Sequence, residues 1–169
     1  MQRIAKFEKV SLDRFIEDYT DAFGCDKDTA VKVYDSVKLP KRATSGSAGY
    51  DFYSPTEFVL KPGETIKIPT GIRASMNEDW VLMLFPRSGL GFKFRLQLNN
   101  TVGIIDSDYY NSDNEGHIFA KITNDSNENK TVEIKSGAGF IQGLFVPFGI
   151  TEDDDANEVR NGGFGSTDK

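Results

Sequence analysis

An all-β fold, a β-sandwich, jelly roll or barrel with a short helical N-terminal segment, is predicted by three observations. After residue 40, short runs of alternating apolar and polar residues recur about every ten residues. Turn-forming residues separate those runs, and no helical stretch intervenes. Before residue 38 the apolar spacing is helical instead.

Leu12, Phe15, Ile16, Tyr19 and Phe23 fall at i, i+3, i+4, i+7 and i+11, one face of a helix. Ser11 suits its N-cap and Gly24 its stop. A second helix is predicted from Asp28 to Val37, with Val31 and Tyr34 on one face, Asp28 as its cap and Pro40 just beyond it. Strands are predicted at "TIKIP" (65–69), "VLMLF" (81–85), "RLQL" (95–98), "HIFAKI" (117–122), "TVEIK" (131–135) and "GLFVPF" (143–148). Pro62-Gly63 and residues 77–79, 88–91, 124–129 and 136–137 read as turns. From Gly149 onward periodicity is lost, and an acidic stretch leads to a glycine-rich end. The expected organisation is a helical extension (1–37), a β core (38–148) and a C-terminal arm (149–169).

The 169 residues suffice for one domain, and 13 Phe with 38% hydrophobic content supply a core. Lys and Arg number 20 against 26 Asp and Glu, a net charge of −6. Such a balance argues against coating nucleic acid or an anionic membrane. A polyanionic ligand would need clustered Arg, backbone N–H groups or a metal. Cys25 is the single cysteine and His117 the single histidine. That excludes an intrachain disulfide, a Cys-rich zinc site and a multi-histidine metal site. No apolar run approaches the roughly 18 residues of a membrane span, and the N-terminus lacks an apolar signal region. A cytoplasmic location is expected, with cellular and viral or phage origin both open.

Several stretches carry chemistry. "PRSGLG" (86–91) follows an apolar strand and offers a guanidinium, a hydroxyl and open backbone N–H groups, a set suited to phosphate or to an ordinary turn. In "NNTVGIIDSDYY" (99–110), Asp106 and Asp108 follow an apolar run. Alternation puts both on one face if the strand continues. A carboxylate there suits a general base, a metal ligand or a turn former, and Tyr109 suits stacking on a sugar or base. Asp51, in "SAGYDFYSP", suits either backbone hydrogen bonding or a metal-bound water. Gln142 lies in an apolar strand and needs a partner from the core or from a ligand. The acidic run 153–155 reads as a solvated linker, and His117 as packed at a strand start.

Taken in order, "AGYDF" (48–52), "PRSGLG" (86–91), "NTVGIIDSDYY" (100–110), "GAGFIQG" (137–143) and "RNGGFGST" (160–167) resemble the five motifs of the homotrimeric dUTP pyrophosphatases, the dUTPases, over about residues 38–168. The resemblance implies a jelly-roll β subunit and a trimer with active sites shared between subunits. It implies hydrolysis of dUTP to dUMP and pyrophosphate assisted by Mg²⁺, which limits uracil in DNA and supplies dUMP for thymidylate synthesis. It implies that Asp106 is the base that activates water. Asn100 and the backbone from Gly103 to Ile105 would read uracil, and Tyr109 would lie under the deoxyribose. Arg87, Ser88, Gly89 and Gln142 would hold phosphate from a neighbouring subunit. Asp51 would touch water on the metal. Phe164 would lie over the base, Gly165 would be among the substrate-binding residues, and Arg160, Ser166 and Thr167 would close on the γ-phosphate as a mobile lid.

The pattern departs from the family in four places. Ala138-Gly139 stand where Asp-Arg is usual, Arg160 lies one residue closer to the paired glycines, Asp168 replaces a glycine, and 111–115 is an insertion. The first 37 residues lie outside the resemblance and are candidates for trimer packing or for binding a protein partner. A dCTP deaminase of the same fold and a dUTPase-like regulatory binding protein are the alternative functions.

Overall fold

A computed structural model of the chain describes residues 1–160 and 162. The chain opens with β1 (Ala5–Lys9), α1 (Leu12–Phe23) and α2 (Lys27–Ser36). Then follow β2 (Lys41–Arg42), β3 (Tyr50–Tyr53), β4 (Phe58–Leu60), β5 (Thr65–Pro69) and β6 (Ile72–Met76). β7 (Trp80–Pro86) runs into α3 (Ser88–Phe94), followed by β8 (Leu96–Leu98) and β9 (Gly103–Ile105). A 3-10 helix (Ser107–Asn111), β10 (Phe119–Asn124), β11 (Val132–Ile134) and β12 (Gly139–Pro147) complete the order.

The caps explain the helices. The Ser11 hydroxyl accepts from the Arg14 N–H at 3.1 Å, and Gly24 closes α1 with a left-handed φ of 63°. Asp26, not Asp28, caps α2, accepting from the Thr29 N–H at 2.7 Å. Asp28 lies inside the first turn, where a carboxylate favours the positive end of the helix dipole.

Three further differences from the sequence reading stand out, the first two with tertiary causes. Residues 5–9 form a strand because they pair antiparallel with β6, setting Phe7 against Tyr50, Phe52 and Phe145 at 5.3, 5.4 and 5.5 Å between ring centres. Residues 88–94 form a helix rather than a turn. Its two glycines disfavour that, but Leu90 and Phe94 pack on the core and hold it. The strand expected at 143–148 starts at Gly139, and that expected at 117–122 starts at Phe119.

The strands form four antiparallel groups: β1-β6, β5-β10-β8, β11-β4 and the five-stranded β2-β3-β12-β7-β9. The last group positions the site. Gln142 on β12 stands opposite Asp51 on β3 and Phe85 on β7, while Leu84 on β7 stands opposite Gly103 on β9. Four stretches far apart in sequence become neighbouring strands. Val10, Phe15, Tyr19, Ala30 and Val37 share one buried cluster with Phe52, Leu82, Phe140 and Ile141. Among the described residues no helix is long and apolar enough to cross a membrane.

Candidate active site

β9 ends the five-stranded sheet, so one of its edges carries backbone N–H and C=O groups without a neighbouring strand. That strand lines a cleft of about 480 Å³ together with Asn100, Asp106, Tyr109 and Arg160. Gly103 lets β9 approach β7 closely; a Cβ there would lie 3.0 Å from the Leu84 Cβ.

Asp106 is the first residue after β9 and the N-cap of the 3-10 helix. The expectation that Asp106 and Asp108 share the face of a continuing strand is overturned, because the strand ends at Ile105. The helical turn still brings both carboxylates to one cation. Arg160 pairs with Asp106, and its Nε donates to Asp108 Oδ1 at 2.8 Å.

Tyr109 is nearly sealed, at 5% exposure. Its hydroxyl donates to the His117 carbonyl at 2.7 Å and accepts from Asn114 Nδ2 at 2.7 Å. Burial pushes the phenol's pKa up, so it stays a neutral donor. Asn114 makes its bond to the Tyr109 hydroxyl from the stretch 111–115, which the sequence reading took as an insertion. Gly116 follows it at φ 68°, and a Cβ there would meet the Tyr109 carbonyl oxygen and the Tyr110 Cα at 2.7 Å.

A second polar cluster sits where β3, β12 and β7 meet. Arg87 Nε pairs with Asp51 Oδ1 at 3.1 Å, and an Arg87 Nη donates to the Gly139 carbonyl at 3.2 Å. Gln142 Nε2 donates to the Pro86 carbonyl at 3.0 Å. Ser88 and Gly89 open α3 and are exposed. Neither these two residues nor Asp51, Arg87 and Gln142 belong to the described walls of the cleft. No group of three or more His, Cys, Asp or Glu converges as a metal cage among the described residues.

The dUTPase family model matches residues 35–168. The chain belongs to the dUTPase family. The deoxyuridine 5'-triphosphate nucleotidohydrolase of Lactococcus lactis is 44% identical over 134 residues, covering 78% of this chain and 88% of the relative. The dUTPase of Streptococcus mutans superposes with a TM-score of 0.63 at 37% identity, covering 86% of this chain and 98% of that one. A dUTPase mutant from phage phi11 of S. aureus, whose structure concerns coordination of a structural Mg(II) ion, shares the fold with a TM-score of 0.64 at 21% identity, covering 92% and 98% of the two chains. The enzyme is thus a hydrolase of nucleotide metabolism, a dUTP diphosphatase.

Of the site residues expected in this dUTPase, the cleft gathers Asn100, Gly103, Ile105, Asp106, Tyr109 and Arg160. Asp51, Arg87 and Gln142 form the separate cluster. Phe164, Gly165, Ser166 and Thr167 lie outside the described residues. The cleft also contains Leu98, Phe119 and Lys121, none of which sequence reasoning singled out. Phe119 and Lys121 lie on one side of β10 by alternation, a signal visible only once the strand is located.

Proposed function

We propose that Asp106 accepts the proton of the water that attacks the α-phosphorus of dUTP, with dUMP and pyrophosphate as products. The supporting observation is the shared wall of one cleft: the open backbone edge of β9, the buried Tyr109 ring and the Asp106 carboxylate. The edge N–H and C=O groups and Asn100 read uracil, and Tyr109 lies under deoxyribose. Asp106 stands at the end of the strand that reads the base. An incoming triphosphate draws the Arg160 guanidinium to itself and leaves Asp106 able to accept a proton.

Arg87, Ser88, Gly89 and Gln142 serve the phosphates of a neighbouring copy's cleft, which requires an oligomer, and the trimer is the form proposed. The separation of this cluster from the cleft within one chain supports that reading. The donor set fits Mg²⁺ bound mainly by phosphate and water, because Asp51 is an acidic side chain beside Arg87 and no multi-carboxylate cage is present among the described residues. When bound, the ion neutralises triphosphate charge, and Asp51 would hold one of its waters. The arm carrying Phe164 to Thr167 closes on base and γ-phosphate in the same proposal.

Asp106→Asn tests this reading. Nucleotide binding by calorimetry should stay near wild type while pyrophosphate release from dUTP is lost. Wild-type turnover in that variant would exclude Asp106 as the base.

A further inference from the structure

The first 37 residues hold the loop that carries Tyr109. The Asp18 carboxylate on α1 accepts from His117 Nδ1 at 2.5 Å, across 99 residues of sequence. His117 is fully buried, and its other nitrogen, Nε2, accepts from the Gly71 N–H at 2.8 Å. A nitrogen that accepts carries no proton, so the tautomer is set: Nδ1–H points at Asp18. The His117 backbone carbonyl in turn receives the Tyr109 hydroxyl at 2.7 Å. Asp18 is itself fixed by the Arg14 guanidinium, with Nε at 2.9 Å and Nη2 at 2.5 Å.

Further contacts tie the same loop to the same segment. Glu115 accepts from the Ser11 N–H at 2.7 Å and from its hydroxyl at 2.6 Å. The Tyr110 hydroxyl donates to Glu8 at 2.6 Å, and Arg73 on β6 lies 3.5 Å from the Tyr110 ring centre. The stretch that follows Tyr109 is thus gripped at Tyr110, Glu115 and His117 by Glu8, Ser11 and Asp18, residues preceding the region the family model matches.

We propose that Asp18 is a positioning residue for the sugar-binding side of this site. Through His117 it fixes the carbonyl that anchors Tyr109, and so sets the height of the Tyr109 ring in the cleft. This rests on the reading of Tyr109 as the residue beneath deoxyribose. A ring held against the sugar discriminates by leaving no room for a 2′-hydroxyl. A ring free to sink by a fraction of an ångström loses that discrimination before it loses chemistry. The N-terminal segment is then part of the specificity apparatus.

The experiment compares kcat/KM for dUTP with kcat/KM for UTP in the full-length enzyme. Asp18→Ala should lower that ratio roughly 10-fold, mostly through KM, with kcat for dUTP near wild type. Tyr109→Phe, which keeps the ring and removes the tether, should lower it similarly. The double variant should fall no further than Tyr109→Phe alone, because both changes cut one chain of contacts. A wild-type ratio in Asp18→Ala, or strictly additive losses in the double variant, overturns the proposal even if thermal stability falls. Should Asp18→Ala not fold, Asp18→Asn retains a weaker acceptor and should lower the ratio roughly 2- to 3-fold. A wild-type ratio there is equally fatal. Tyr109→Ala separates the two readings: an unchanged ratio in that variant removes Tyr109 from sugar recognition and leaves the Asp18 network purely structural.

Discussion

The cleft beside β9 and the cluster around Arg87 are built in opposite ways. Tyr109 in the first is buried, and its hydroxyl is held by short bonds to the His117 carbonyl and to Asn114, while the Arg160 pairs with Asp106 and Asp108 stay partly exposed at the mouth. Arg87 and Gln142 in the second are half-buried, lean on backbone carbonyls and adjoin the exposed Ser88 and Gly89. Under the proposed roles, the difference follows from what each region must meet. A neutral base and sugar are recognised by shape, and shape needs packed walls. A triphosphate brings charge, so its binders must stay hydrated until it arrives; burying them unpaired would cost several kcal/mol. Arg160 stands between the two designs, paired with Asp106 and Asp108 while carried on the arm.

The sharpest way to break this contrast is Asp106→Asn. It should cost about 10²- to 10⁴-fold in kcat and leave the cleft's affinity for dUMP unchanged. Weak dUMP binding in that variant would show that Asp106 shapes the cleft as well as serving it. Next in size, Phe15→Ala, at a fully buried position against Tyr19 and near His117, should lower unfolding free energy by about 3–5 kcal/mol in a urea titration. A loss under about 1 kcal/mol would mean that α1 is not part of the same packed body. Arg87→Ala should weaken binding of a non-hydrolysable dUTP analogue roughly 10-fold or more while dUMP binding changes less than about 2-fold. Equal losses for both ligands would merge the two regions into one.

The smallest effect is a pH dependence in the buried half. Burial lowers the His117 pKa below its ordinary 6.5, against the pull of Asp18. Burial opposes the charge on Asp18, but hydrogen bonds from His117 and Arg14 outweigh it and lower that pKa as well. Both groups are depressed on folding, so the unfolded chain takes up protons first. Their stabilisation is complete above the His117 unfolded value and declines as pH falls through its folded one, with Asp18 adding its loss at lower pH. Melting temperature should therefore drop from about pH 7 toward pH 5, and His117→Gln should flatten the upper part of that slope. A wild-type melting temperature that stays level or rises across that interval would contradict the buried, neutral His117.

Local pattern sufficed where a segment buries its own periodic face. The spacing from Leu12 to Phe23 and the caps at Ser11 and Gly24 made α1 readable, and alternation located β5 and β7 almost to the residue. It failed for "AKFEK", whose single large apolar residue becomes a strand marker only when β6 lies beside it. It failed for Ser88–Phe94, where two glycines signalled a turn and packing of Leu90 and Phe94 made a helix.

The site divides along the same line. Motif order in the sequence alone identified the family and singled out Asp106, Tyr109, Arg87 and Arg160, because each chemical group must sit at a set offset from the strand that aims it. Tertiary structure decided which of these share a cleft, that Asp106 and Asp108 meet on Arg160 through a helical turn, and that Asp18 reaches His117. Those contacts join residues up to 99 positions apart. No local propensity encodes such a distance; only the sheet order and the packing of α1 bring the partners together.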